Sequence, residues 1–409
     1  MISRLALEQR VREWGLREDV VEKDYVLGWL LWGIGSDEVL STAWAFKGGT
    51  CLKKCYLETF RFSEDLDFSV LPGGPVQREE VEPHLLRILQ RVHEQSGLVF
   101  DGQPPRLTTH SSRTYTEGRI YYRGPRSARN LASVRVDLLA AEVVVRPTVL
   151  RPIAHAYPDE LPAPANVRCY GFEEVFAEKL RAMGERSRPR DLYDVVHLFR
   201  RRDLRHHAGI VGEVLAEKCA GKGIPIPSFD STEGSPQRQE LETEWANMLA
   251  HQLPELPPFE SFWSELPALF AWLHGEASVD ELEPVESQGE LDEIWRPPET
   301  LWSWGVGVPV ESIRFAASNH LCVELGYQGT QRMIEPYSLR RSRAGDLLLF
   351  AIKVETREVR GYRLDRVQSV RVTTMPFRPV HLIEIGGAGP IFAPRLRHAR
   401  AASRRRRKR

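Results

Sequence analysis

The sequence lacks the features that would assign it to an extreme class. Lys plus Arg and Asp plus Glu number 56 each, so neither sign of charge is in excess. The molecule as a whole is therefore not a polyelectrolyte binder, and any contact with nucleic acid has to come from a local patch. Cysteine is scarce: five residues, with no CxxC pair and no Cys/His ligand spacing. That excludes a disulfide framework and the common zinc modules, and the odd, scattered set predicts reduced thiols in a cytosol. Cys51 and Cys55, four apart, read as core residues on one helix face before they read as a metal site. Long apolar runs are missing too. The longest, 25–34, is too short to span a bilayer. No basic region followed by an apolar stretch marks the N-terminus, so no secretory signal is expected and the predicted location is cytoplasmic. No internal repeat is visible.

What is present is the composition of a soluble globular protein, 42% hydrophobic and 27% charged. At 409 residues the chain exceeds one ordinary core, and two or three domains are expected. Apolar residues recur at helical spacing over 8–34. A short apolar strand over 44–46 ends at Gly48-Gly49, and helical patterning follows over 50–59. Asp65–Val70 alternates acid and apolar, as a strand does. A helix is predicted over 81–95, strands over 99–100, 120–122 and 134–139, and helices over 172–183, 192–200 and 240–274. Strand–helix–strand order followed by helices predicts an α/β (α+β) core with a helical extension over 1–275. Residues 276–300 are acidic and proline-containing and read as a linker. Short β-type runs between 322 and 373 predict a small all-β barrel domain over 301–390. A basic tail over 391–409 ends in seven residues carrying six positive charges.

The chemistry concentrates in three segments: Phe46-Lys47-Gly48-Gly49-Thr50, then Arg61 to Phe68, then Val136-Asp137-Leu138. Asp65 and Asp67 are two apart on a strand and share a face. Asp137 sits inside another apolar strand, where an unpaired charge is costly. Three acids converging on one sheet repel unless cations lie between them, and two Mg²⁺ ions would give phosphoryl-transfer chemistry. A glycine pair at a strand-to-helix turn lets backbone N–H groups approach a phosphate. Lys47, Thr50 and Ser63 add a charge and two hydroxyls. A second block, Glu178-Lys179 and Arg190-Asp191-Leu192-Tyr193-Asp194, offers Lys179 as a triphosphate ligand. Asp191 would orient that lysine or act on the acceptor hydroxyl. Arginines and tyrosines interleaved over 113–129 form a candidate RNA-contacting face.

These residues, with Val21-Glu22-Lys23-Asp24-Tyr25 ahead of them, resemble the nucleotidyltransferase toxins of the AbiEii/AbiGii type over 8–275. The resemblance implies a polymerase-β-like core and transfer of a nucleoside monophosphate from an NTP. It also implies GTP binding or the addition of nucleotides to tRNA 3′ ends, and an antitoxin or phage-defence partner. The family's carboxylate pair maps onto Asp65 and Asp67, its late lysine onto Lys179 and its late aspartate onto Asp191. Many nucleotidyltransferases have Gly-Ser where this chain has Gly-Gly-Thr.

Residues 308–385 resemble a WYL domain. The resemblance rests on Ile313-Arg314-Phe315-Ala316, Tyr327, Arg332, Glu335-Pro336 and the run 361–367, with Leu348-Leu349-Phe350 where the naming tripeptide would stand. It implies an Sm-like barrel that senses nucleic acid or a nucleotide, with Tyr327, Arg332, Arg363 and Arg366 as ligand-binding residues. Two other functions fit the same residues: nucleotidylation of a protein, or a regulator built on a degenerate transferase scaffold.

Overall fold

The computed structural model describes residues 1–57, 61–126, 128–201, 208–233, 236–276, 282–285, 291–294, 310–342 and 346–385. Helices α1 (Arg4–Trp14) and α2 (Glu18–Gly35) lead through the short α3 (Leu40–Ala43) into β1 (Trp44–Lys47). The chain turns at Gly48 into α4 (Gly48–Cys51), which continues as a π-helical turn over Leu52–Tyr56. In that turn Leu57 N–H donates to Leu52 O, five residues back, at 2.7 Å. Strand β2 (Asp65–Val70), helix α5 (Arg78–Ser96) and strands β3 (Arg106–Thr109), β4 (Tyr115–Tyr122), β5 (Ala132–Leu139), β6 (Val149–Pro152) and β7 (Asn166–Cys169) follow. The seven strands form one mixed sheet in the order β3-β4-β5-β2-β1-β7-β6.

Alternation along the central strands separates the faces. Leu66, Phe68, Val134, Val136 and Leu138 are buried, in one core with α2 and α5. Each full burial contributes about 1.5–3 kcal/mol. Asp65, Asp67, Arg135 and Asp137 occupy the alternate positions and look out of the other face. Gly33 lets α5 approach α2, because a side chain there would run into Ile88 and Val92.

Helices α6 (Phe172–Arg186) and α7 (Pro189–Arg200) come next. Pro189 at the first position and Asp191 in the first turn start α7 where a missing N–H and a negative charge are favourable. The extension continues through α8 (Ala208–Lys222), α9 (Phe229–Glu233), α10 (Pro236–Leu249), α11 (Glu260–Trp263) and α12 (Leu266–Leu273). A strand β8 (Leu291–Ile294), helix α13 (Val310–Ser318) and strands β9 (Leu321–Tyr327), β10 (Thr330–Ser342), β11 (Leu347–Lys353), β12 (Val359–Arg363) and β13 (Val367–Pro376) complete the described fold.

Expectation and structure differ in places. The strand expected over 99–100 is a single bridge, Val99 to Arg123. The C-terminal unit is an antiparallel sheet in the order β12-β11-β10-β9-β13, with β8 pairing β10. Its end strands β12 and β13 are not paired to each other among the described residues, so it is an antiparallel sheet and not a demonstrated closed barrel. Most of the acidic linker expected over 276–300, and the whole basic tail over 391–409, lie outside the described residues.

Candidate active site

The site starts from strand register. Strand β2 runs parallel to β5 with Asp67 opposite Asp137 and Asp65 opposite Arg135. It runs antiparallel to β1 with Asp67 opposite Lys47. Residues directly opposite in a ladder share a face, so the three acids and the end of β1 are neighbours. Gly48 has a φ of 78° and faces Asp67 so closely that any Cβ would collide with its carboxylate. Glycine is required there on both counts.

Burial pushes Asp67 up to about 6; Asp65 and Asp137 add to the rise while Lys47 and Lys179 oppose it. Asp65 is raised as well, first by burial and then by its acidic neighbours, against the field of Arg135. Acids held above their ordinary range by burial and mutual repulsion are relieved by a bound cation, and a hard oxygen donor set suits a divalent one. The donor set therefore fits Mg²⁺. Asp137, 22% exposed, accepts at Oδ1 from Tyr115 Oη at 3.2 Å and from Arg135 Nε at 3.1 Å.

Lys47 Nζ pairs with Glu142, which also accepts from Ser69 Oγ at 2.6 Å and Tyr170 Oη at 3.2 Å. Burial alone would raise Glu142, but the Lys47 ammonium overrides it and holds the carboxyl at about 2. Thr50 Oγ1 donates to Asp65 O at 2.5 Å, so it pins the glycine turn to β2. Ser63 Oγ and the Arg61 guanidinium line the space above Gly49.

Lys179 is buried and held from α7, by Asp194 Oδ2 at 2.7 Å and Asp191 Oδ1 at 3.5 Å. Asp191 is itself gripped by Arg186 at 2.7 and 2.9 Å. Arg61 grips Asp194 with two bonds of 2.7 Å and donates to Gln252 Oε1 at 3.0 Å. Arg61 thus joins the glycine turn to the Lys179 block. Sequence reasoning gave no role to Arg61 or Glu142. An arginine four residues ahead of the first acid was a signal for Arg61; Glu142 lies in an irregular segment after β5 and had none.

Arg106, Arg119 and Arg135 form a row across β3, β4 and β5, each opposite the next, and the row ends at Asp65. Arg106 and Arg119 are exposed. Tyr122, in contrast, is buried, and Arg126 pairs with Glu22. In the C-terminal unit Arg332 lies over the rings of Tyr327 and Tyr362, at 5.4 and 5.8 Å. Arg363 is engaged by Asp346 and Asp365 at 2.8 Å, and Arg366 is exposed beside them.

The fold brings paired acids, a glycine turn and a buried lysine together, and the protein is a nucleotidyltransferase. Residues 29–272 match the family described as Nucleotidyl transferase AbiEii toxin, Type IV TA system, and the chain belongs to that family. Residues 310–372 match the WYL domain. Among solved structures the chain is similar to MenT4, a nucleotidyltransferase toxin from Mycobacterium tuberculosis H37Rv. That likeness has 21% identity and a TM-score of 0.45, over 67% of this chain and 90% of that one. It is also similar to Proteasome accessory factor B/C of Arthrobacter aurescens, at 12% identity and a TM-score of 0.16, over 88% and 71% of the two chains. No curated protein matches. No described helix is long and apolar enough to cross a membrane.

Proposed function

We propose that the protein transfers a nucleoside monophosphate from an NTP to the 3′-hydroxyl of an RNA, with tRNA as the acceptor. The observation that carries the RNA reading is the arginine row 106–119–135, which runs across the open face of the sheet and ends at the acids. A phosphate backbone laid along that row would deliver its terminus to Asp65 and Asp67.

Asp65, Asp67 and Asp137 would hold two Mg²⁺ ions, whose chemistry is to neutralise the triphosphate and stabilise charge at the α-phosphate. The chain's own residues do the positioning. The Gly48-Gly49 turn offers backbone N–H groups to the phosphates, and Ser63 extends that cradle. Lys179 balances the leaving pyrophosphate, oriented by Asp194 more directly than by Asp191. Lys47 exchanges Glu142 for a phosphate. Asp137 Oδ2 takes the proton of the acceptor hydroxyl. The acceptor oxygen bonds to the α-phosphorus, and the bond from that phosphorus to the β-bridging oxygen breaks.

The biological reading is a cytoplasmic growth-inhibiting toxin or phage-defence effector, kept in check by an antitoxin. Within it, 1–275 is the transferase and 301–390 a WYL unit that senses nucleic acid through Tyr327, Arg332 and Arg366. The test offers each α-³²P-labelled NTP with Mg²⁺, with and without total tRNA, to the wild type and to Asp65→Asn/Asp67→Asn. Label on tRNA that the double variant abolishes is the expected result. Label on protein alone would overturn the RNA acceptor in favour of nucleotidylation.

A further inference from the structure

Three cysteines that are scattered in the sequence meet in the fold. Cys51 ends α4, Cys55 lies in the π-helical turn and Cys169 ends β7. All three are fully buried, and their sulfurs lie within 4.8 Å of one another. Two features of the backbone bring them together. The π-helical turn follows α4 directly and sets Cys51 and Cys55 on one side. Strand β7 runs parallel to β1 with Cys169 opposite Phe46, which carries the third sulfur to the root of the glycine turn.

We propose that Cys51, Cys55 and Cys169 bind one Zn²⁺ ion, which clamps the glycine turn to β7. Zinc–sulfur bonds are about 2.3 Å, so three thiolates around one ion stand about 4 Å apart. The trio therefore needs little closure to reach ligating geometry. Thiols are soft donors that select zinc over the hard cation suited to the carboxylates. The carboxylates are not drawn as close: among the described residues, the thiols are the group of three or more ligand atoms packed this tightly.

Charge and protons balance. Three thiols and one Zn²⁺ give a complex of charge −1 and release three protons. The positive charge that complex needs is beside it. Arg151 donates to Cys55 O at 3.2 and 3.1 Å and lies 4.7 Å from the centre of the Tyr56 ring. An oxygen for the fourth position is also near. Tyr56 Oη is 3.9 Å from Cys169 Sγ and gives its hydrogen to Tyr170 O at 2.6 Å, so its lone pairs remain for a cation. The ion would be structural, held among buried side chains one turn from the proposed phosphate cradle.

The experiment measures metal in the full chain, produced with Zn²⁺ in the medium and purified under reducing conditions. About one equivalent of zinc should survive gel filtration. It should be absent from Cys169→Ser and Cys51→Ser, and a strong chelator should lower the Tm of the wild type alone. Co²⁺ in place of zinc should give a sulfur-to-cobalt charge-transfer band. Should the serine variants not fold, titration of the wild type with a mercurial should release zinc as the thiols are blocked. Zinc-free protein without a cobalt band would overturn the proposal. So would zinc retained by both serine variants, or a mass two hydrogens lighter with linked cysteine peptides. Metal content is read without any transfer assay, so this result is independent of the RNA reading.

Discussion

Tyr193 of α7 donates its phenolic hydrogen to Oδ1 of Asn319 at 2.9 Å, across the boundary between the transferase and the WYL unit. His197 Nε2 meets the same oxygen at 3.2 Å, and Asn319 Nδ2 donates to Phe315 O at 2.9 Å. One turn further, Arg200 donates to Ser318 O at 3.0 Å. The same helix carries Asp191 and Asp194, which hold Lys179. One face of α7 therefore grips the lysine while another grips the WYL unit. Asn319→Leu keeps the volume but removes the acceptor that Tyr193 and His197 share, and a lost intramolecular hydrogen bond costs about 0.5–1.5 kcal/mol. A Tm lower by several degrees and an altered transfer rate are expected. A wild-type rate in the folded variant would disconnect the two units.

Glu142 holds Lys47, the proposed phosphate ligand, so carboxylate and phosphate would compete for it. Glu142→Gln weakens that pair and frees the ammonium. The NTP should bind more tightly, by up to about tenfold for each 1.4 kcal/mol released, as read by calorimetry with a non-hydrolysable NTP. Unchanged or weaker binding would remove Lys47 from the phosphate site.

Asp194 lies between two buried cations. Asp194→Ala leaves Arg61 without its bidentate partner and Lys179 without its nearer one, and loss of one partner from a buried pair costs about 3–5 kcal/mol. Denaturant titration should show that loss. Lys179→Met removes only one of the cations on Asp194, so it should destabilise less while still abolishing transfer.

The arginine row makes a prediction about salt. Arg106→Glu/Arg119→Glu should weaken RNA binding and lower the slope of log K against log salt by about 1–2. NTP binding should stay as it was. An unchanged slope would place the RNA elsewhere.

Glu311 of α13 is pushed up by burial to about 7, against the pull of Arg10 and Lys53 in the transferase half. Its folded value lies above the ordinary 4.5, so the folded state holds its proton longer. The penalty is absent below pH 4.5, grows through the interval and is complete above about 7. Glu311→Gln should therefore match the wild type in acid and exceed its Tm above pH 7. Parallel Tm–pH curves would show that Glu311 ionises freely.

The parts of the site that were legible in the sequence are those fixed by local pattern. Asp65–Val70 is a strand over the residues its alternation predicts, because period two is what a one-faced strand requires. The turn after Lys47 was legible because two glycines end an apolar run. What stayed hidden depends on long-range pairing. Strands β6 and β7 are four residues each, too short for a period to register. Cys169 is more than a hundred residues from Cys55, and only the parallel pairing of β7 with β1 brings them together. Ile313-Arg314-Phe315-Ala316 reads as a motif in the sequence, and the nine-residue α13 around it is too short to show a helical period. A helix start points to Asp191 as the late acid, and both Asp191 and, one turn on, Asp194 face Lys179, at 3.5 and 2.7 Å.

The opposition of Asp67 and Asp137 has a consequence for how the protein is made. Both acids face outward because two parallel strands meet in one register, and a slip by a single residue would turn one strand's acids into the core. A slip by two would keep both strands' acids outward but set Asp65 or Ser69, and not Asp67, opposite Asp137. The buried residues beneath the acids, Leu66, Phe68, Val136 and Leu138, therefore set the spacing of the charges above them, and one choice of register specifies both the core and the acid pair.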